Sequence, residues 1–422
     1  MCWDRIFMSA ETEVKRRIQE KGKITFEEFM SIALYWPQGG YYTGREPVGA
    51  VGDYYTSPAV HPAFGALLAV QLYQMWQIME RPSVFTVLEL GAGNGLLSRD
   101  ITGYASHLPG SFARTLRYVC LDRRQVTRLE DSNRVLADVI PFRGLEGCVL
   151  SNEYLDAFPV HQVVMDSGVL KEVHVALEDG NLAQVLDEPA DAALARRLNV
   201  LGITLSEGQT AEINLGLEKW AGDLSGALEH GFTLTVDYGR TAPDLYNPEL
   251  RRRGTLVTYH QHVQTDAPLR RIGEQDITAQ VDFTSAMRLG EDAGLSALGL
   301  VKQSEFLANM GLGHFQRHTR GQDLPPRHMR ANLAGLVDLV RPGGLGDFKV
   351  LAHGKNVGLP DLWGLEQSTE AQRLVESLPA PLLTPEHLWL DQGNPFGGEV
   401  EFEAFWPESG PENPGGTEGQ PD

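Results

Sequence analysis

Cysteine is scarce. Cys2, Cys120 and Cys148 are the whole complement, too few for a disulfide framework. Cys120 and Cys148 lie in apolar, strand-like runs, which predicts buried thiols and a reducing, cytoplasmic setting. No apolar run approaches the roughly 20 residues that cross a bilayer, so no membrane partner is expected. The N-terminal stretch "MCWDRIFMSAETEVKRRIQE" has no uninterrupted apolar core and no small-residue cleavage site, unlike a secretory signal, and it is not the Arg- and Ser-rich, acid-poor stretch of a transit segment. Basic residues are outnumbered, and the formal charge of −20 argues against non-specific nucleic-acid binding. That charge suits a basic protein partner or a cationic ligand, and equally a surface that is acidic for solubility. The last sixteen residues, "PESGPENPGGTEGQPD", contain no base and too little apolar surface to offset ordering, so disorder is expected there. His260 and His262 have strand-like i, i+2 spacing but no third ligand nearby, and no metal is expected. The Arg251–Arg253 run reads as a solvated loop, and the aromatics of 402–406 as packing on the core or a partner subunit. A homodimer is compatible with the sequence.

What is present is a chain long enough for one large domain with insertions or for two domains. Residues 10–35 read as two short helices. In the second, Phe26, Phe29, Met30 and Ala33 form one apolar face behind a capping box made by Thr25 and Glu28. Loop-forming prolines and glycines follow, then an apolar helix at 62–80. Val84–Leu90 is a glycine-bounded, β-branched apolar run, the signature of a buried parallel strand. "LRYVCLD", "GCVLSNEY" and "FTLTVDYG" are further strands alternating with helices, which implies an α/β fold with a mainly parallel sheet and helices on both faces. The expected layout is an N-terminal helical segment (1–50) and a core (51–356) with insertions near 161–207, 240–280 and 311–347. A C-terminal extension (357–406) and an acidic tail (407–422) follow. The first insertion looks like a small sheet with a hairpin at Asp166-Ser167-Gly168; the second is a long polar connection, more functional than idle.

The chemistry concentrates in "LELGAGNG". Gly91, Gly93 and Gly95 let the backbone turn sharply and a ligand approach. The spacing is G-x-G-x-G, not the G-x-G-x-x-G of dinucleotide sites, and Glu89 stands two residues before the first glycine. A carboxylate there repels a pyrophosphate but can attract the ammonium of S-adenosylmethionine (SAM), directly or through water. Asp122 ends the next strand, where an acid takes both ribose hydroxyls in nicotinamide enzymes and methyltransferases alike. After the third strand come Asn152, Glu153 and Asp156 of "SNEYLDAFPVHQ", on the strand end that faces the same cleft, unless they only cap a helix. The last elements, "GLSALGLVKQ" and "DFKVLAHG", fit an antiparallel closing pair, an ending that a dinucleotide domain would not have.

In order, "KITFEEFMSIALYWPQGGYYT", "GDYYTSP", "LELGAGNG", "SNEYLDAFPVHQVV", "DYG", "GTLVTYHQH", "GEQDITAQVDFTSA" and "FKVLAHG" resemble the MidA-like family of SAM-dependent methyltransferases over roughly residues 20–356. The family includes the mitochondrial complex I assembly factor that methylates an arginine. The resemblance implies a class I, Rossmann-like methyltransferase core, SAM as cofactor and a protein arginine as acceptor. Gly91, Gly93, Asn94 and Gly95 would hold the methionine part of SAM and Asp122 its ribose, with Glu89, Asn152 and Glu153 nearby. Thr56, Ser57 and Pro58 would reach the cofactor, while Tyr54 and Tyr55 wall the acceptor channel. A guanidinium acceptor demands a bidentate carboxylate grip; Glu153 and Asp156 are the candidates, then Asp237 and Glu212. Family members often carry glutamate after the Thr-Ser-Pro; here Ala59 follows it, so Ala59 and His61 are where substrate choice is expected to be written. A SAM-binding assembly factor without catalysis and a nicotinamide oxidoreductase are the rival classes.

Overall fold

The computed structural model describes residues 9–44, 56–123, 133–260 and 263–387. Tyr54, Tyr55, His262, the 402–406 aromatics and the acidic tail lie outside them. The main sheet has seven strands. Their order across the sheet is Ser296–Lys302, Lys349–Lys355, Leu228–Asp237, Leu145–Asn152, Phe85–Leu90, Leu116–Asp122 and Arg134–Leu136. Lys349–Lys355 runs antiparallel to both its neighbours; the other pairings are parallel. The expected antiparallel closing pair is therefore present.

Alternation builds the two faces. Phe85 and Val87 of the first core strand enter one apolar cluster with the helix Ala63–Ile78. Leu88 and Leu90 enter another with the helices Gly216–Ala227 and Phe283–Asp292. Fourteen residues of Ala63–Ile78 are buried, so this helix is covered on all sides. Part of that cover is the C-terminal extension. Gln71 and Gln74 accept the backbone N–H groups of Gly364 and Trp363 at 2.8 Å each, and Leu362, Ala371 and Val375 join the core. The extension thus completes the domain rather than decorating it.

The 161–207 insertion extends to Ile213 and forms a second sheet, of which the N-terminal strand Lys23–Thr25 is an edge. Its hairpin turns at Ser167 and Gly168, both with positive φ. The region expected as a connection at 240–280 holds its own three-stranded sheet, Val257–His260 between Val263–Thr265 and Asp276–Thr278. The stretch 311–347 is mainly two helices, Leu312–Arg320 and Pro326–Asp338. Leu312, Phe315 and Leu336 are the apolar residues of these helices that reach the core; most of the rest of their surface is polar or exposed. Thr25 Oγ1 accepts the Glu28 N–H at 3.0 Å, so the N-cap half of the expected capping box forms, while the Glu28 carboxylate is taken by Arg17 and Lys21.

Two glycines let the central strands approach. A Cβ on Gly147 would stand 2.0 Å from the Thr86 carbonyl oxygen, and one on Gly231 would stand 2.0 Å from that of Gly147. Gly231 also has φ +140°. Gly231→Ala should cost on the order of 2–3 kcal/mol and lower the melting temperature by several degrees in a thermal unfolding scan.

Candidate active site

The strand order reverses between Phe85–Leu90 and Leu145–Asn152, and the crevice beyond the carboxyl ends of such a pair is where open α/β sheets bind ligands. Both glycine turn and acid cluster hang from these two ends.

Gly91, Gly93 and Gly95 all have positive φ, +68°, +53° and +74°. At Gly91 the requirement is double, because a Cβ would stand 2.8 Å from the Tyr154 ring. The turn is held at Gly93 from two sides. Asp122 Oδ2 accepts its N–H at 2.8 Å, and Arg134 Nη2 donates to its carbonyl at 2.9 Å. Arg134 Nε and Nη1 are buried with no partner among the described residues. Asn94 Oδ1 accepts the Leu96 N–H at 3.1 Å and so caps the following helix. Glu89 is buried in the sheet and accepts the Tyr118 hydroxyl at 3.0 Å. Burial pushes its carboxyl up to about 8, with Asp122 adding to the rise and the Tyr118 hydroxyl and Arg134 opposing it.

The second limb is Asn152–Asp156. Glu153 adopts φ +49°, a left-handed conformation that a non-glycine residue holds only when its surroundings dictate it. Its N–H donates to Val236 O at 2.8 Å. Asp237, fully buried, supplies the rest: Oδ2 accepts the N–H groups of Tyr154 and Leu155 at 3.0 and 2.8 Å, and Oδ1 that of Tyr238 at 2.9 Å. Its carboxylate is thus committed to backbone, and burial with Asp156 nearby raises its pKa. Asn152 Nδ2 donates to Glu153 Oε1 at 2.9 Å, and Asn152 Oδ1 is buried without a partner among the described residues. Burial, reinforced by Asp156, pushes the Glu153 carboxyl up to about 8. Asp156 Oδ2 accepts the Thr278 hydroxyl at 3.2 Å while Oδ1 is buried with no partner among the described residues. Burial lifts this acid to about 6, against hydrogen bonds from Tyr238 and Thr278.

The third limb is the short helix Ser57–Val60. The Ser57 backbone bonds to the Glu153 carboxyl, while its hydroxyl donates to Gln303 Oε1 at 3.0 Å. Thr56 makes no side-chain cap, and Pro58 is buried. Ala59 and His61 are packing residues. Ala59 is 4% exposed, and His61 Nδ1 accepts the Ala63 N–H at 3.0 Å while Nε2 faces Asn332 Oδ1 at 3.2 Å. The first contact places the imidazole hydrogen on Nε2, and burial drops its pKa to about 3. Neither is positioned to choose a substrate. Glu212 lies on the second sheet, where it accepts Gln162 Nε2 and the N–H and hydroxyl of Thr255 at 3.2, 2.7 and 3.1 Å. It fastens a loop, and its oxygens are taken by these contacts. His260 Nδ1 faces the Glu274 carbonyl at 2.9 Å. Sequence reasoning missed Arg134, Tyr238 and Thr278. The last two sit inside recognised motifs, but only the fold brings them to Asp156.

An adenosyl amino acid fits these groups. Asn152 Oδ1 and Glu89 are acceptors for an ammonium, and the unpaired Arg134 nitrogens are donors for a carboxylate or ring nitrogen. The seven-stranded order with one reversed strand, the glycine turn after the first core strand and the acid closing the second define a class I methyltransferase. The family model described as "S-adenosyl-L-methionine-dependent methyltransferase" matches residues 67–301, and the chain belongs to this MidA-like family, with SAM as its cofactor. It is 29% identical over 338 residues to a Drosophila melanogaster protein named "Protein arginine methyltransferase NDUFAF7 homolog, mitochondrial", covering 72% of this chain and 75% of that one. The Homo sapiens protein named NDUFAF7 is 26% identical over 381 residues, covering 80% and 82%. A crystal structure of a COG1565 superfamily member from Burkholderia thailandensis bound to S-adenosyl-homocysteine superposes with a TM-score of 0.73 at 26% identity, covering 86% of this chain and 94% of that one.

Arg134→Ala removes one of the two groups that hold Gly93. SAM affinity measured by calorimetry should fall about tenfold, or ~1.4 kcal/mol. Unchanged affinity would detach Arg134 from the cofactor turn.

Proposed function

We propose that this enzyme transfers a methyl group from SAM to a guanidinium nitrogen of an arginine in a protein substrate. One observation carries the reading. Glu153 and Asp156 stand together at the crevice with their pKa values raised by burial, and among the described residues Asp156 Oδ1 has no hydrogen-bond partner and neither acid has an ion pair. The names of the relatives, protein arginine methyltransferases, support the choice of acceptor.

In this reading Gly91, Gly93 and Gly95 let the cofactor lie close to backbone, Asp122 takes the ribose hydroxyls, and Glu89 with Asn152 faces the amino group. Thr56, Ser57 and Pro58 border the methionine end. The cofactor supplies an electrophilic methyl group on a sulfonium. Glu153 and Asp156 accept N–H bonds from the guanidinium and hold one nitrogen in line with that methyl, where positioning supplies much of the rate. As the N–C bond forms and the S–C bond breaks, that nitrogen loses a proton, and the Glu153 carboxylate accepts it. Asp237 is a positioning residue: it fixes the turn that presents Glu153. We also propose a cytoplasmic location, supported by Cys120 and Cys148 being buried free thiols. Cell fractionation decides between this and the mitochondrial setting in the relatives' names.

Glu153→Gln should reduce methyl transfer by about 10²–10⁴-fold while SAM affinity stays within a few-fold; full activity would remove Glu153 from the mechanism. SAM binding with no label reaching any arginine peptide would favour a binding-only role.

The pH dependence follows from the raised pKa values. The guanidinium is charged throughout, and it needs ionised carboxylates, which in the free enzyme form only as pH rises through about 6 for Asp156 and about 8 for Glu153. kcat/KM should therefore climb between pH 6 and 8 and level off above. A flat profile would contradict the assignment.

A further inference from the structure

A cavity of about 920 Å³ opens beside the acid cluster, between the second sheet, the three-stranded sheet and the end of the main sheet where Lys349 pairs with Asp237. Tyr238 links it to the acid cluster: it lines the cavity, and its hydroxyl bonds to Thr278, itself bonded to Asp156. On a chain of net charge −20, this cavity is lined by Arg240, Arg251, Arg253, Lys302 and Lys349, against Asp266 and Asp347. Asp347 is taken by Lys302 at 2.6 Å. Arg240 Nε meets only the neutral Gln280, at 3.1 Å. Arg251, Arg253 and Lys349 have no ion pair among the described residues.

Arg252 and Arg253 are exposed, as expected of a solvated run, but the backbone that carries them is held in place. Thr210 N–H donates to Arg252 O at 2.9 Å, Gly254 N–H to Arg251 O at 3.2 Å, and Arg252 Nη2 to Glu207 O at 3.1 Å. Glu212 clamps Thr255 immediately after. The backbone that carries Arg251 and Arg253 is thus pinned along the cavity wall. Like charges crowd there: burial and Arg240 pull Arg251 down from its ordinary pKa, and burial and Lys302 do the same to Lys349, with Asp244 and Asp347 opposing.

We propose that this cavity is a docking groove for an acidic segment of the protein substrate, flanking the residue that is methylated. The inference rests on the protein-substrate reading above. Unpaired cations held on a fixed backbone gain most from an anionic ligand, which relieves their mutual repulsion. A polypeptide fits better than a nucleic acid for two reasons. The walls also carry Val164, Val173 and Leu256, which suit side chains and not phosphates. The acidic remainder of the chain repels a long polyanion.

The test uses the full-length protein with S-adenosyl-homocysteine and fluorescent synthetic peptides: a central arginine flanked by glutamates, and the same peptide flanked by glutamines. The glutamate peptide should bind about tenfold tighter, with the margin shrinking as salt rises to about 0.5 M. Arg251→Gln with Arg253→Gln should erase the margin while SAM affinity is kept, and Lys349→Gln should reduce it. With labelled SAM, the loss should appear in KM and not in kcat. Equal affinity for the two peptides, or a margin that survives in the arginine variant, overturns the proposal. So does an oligouridylate that displaces the glutamate peptide better than unlabelled peptide does, which would make the groove a nucleic-acid site. The central residue reports separately on the acceptor: if the margin is intact but neither peptide takes up label, the arginine reading fails and the groove stands.

Discussion

The site depends on one buried carboxylate. Asp237 ends a central strand and, with no solvent to satisfy it, takes three backbone N–H groups, those of Tyr154, Leu155 and Tyr238. A buried acid is costly unless its oxygens are paired in this way, so the contacts are mutually enforcing. They bend the chain after Asn152 into the left-handed turn at Glu153, set Tyr154 against Gly91 and bring Tyr238 to the Thr278–Asp156 pair. Each limb of the crevice is therefore indexed to one strand end.

That arrangement concentrates acidic groups in a largely desolvated crevice. Glu89, Glu153 and Asp156 all have raised pKa values, chiefly from burial. In the free protein Glu89 and Glu153, raised to about 8, hold protons at neutral pH while Asp156, at about 6, is largely ionised, and a cation placed among them favours the charged forms. Perturbed acids clustered in a crevice are the usual mark of a functional site. Here both ligands expected in the crevice bring positive charge, a sulfonium amino acid and a guanidinium. The same electrostatic logic, with the sign inverted, operates in the adjoining groove, where cations are pinned against a background of acidic surface.

The insertions supply that groove. Read along the chain they are a hairpin, a polar connection and an arginine run. In space the second sheet gains the strand Lys23–Thr25 from near the N-terminus, and Glu212 ties it to the connection that follows the sheet's neighbour strand. The main sheet carries the reacting centre, whereas these additions shape what lies outside it.

Local chemistry determined a good deal. A run buried on both faces has to be apolar throughout, so the core strands showed themselves. Turns that need positive φ demand glycine, so the cofactor loop did too, and strand ends with acids marked Asp122, Glu153, Asp156 and Asp237. What the sequence could not determine was which carboxylates remain available for chemistry. Glu212 and Asp237 look like Glu153 in a string of letters, yet one clamps a loop and the other a turn, because hydrogen-bond partners come from residues distant in sequence. His61 and Ala59, prominent beside a motif, proved to be packing. Thr278 lay inside a recognised motif and Arg251–Arg253 stood out as a basic run, yet nothing local brought the one to Asp156 or the other to a cavity wall, and Arg134 carried no pattern at all. Periodicity and turn propensity are local properties written in neighbouring residues; burial, pairing and the pKa values that follow from them belong to the assembled fold.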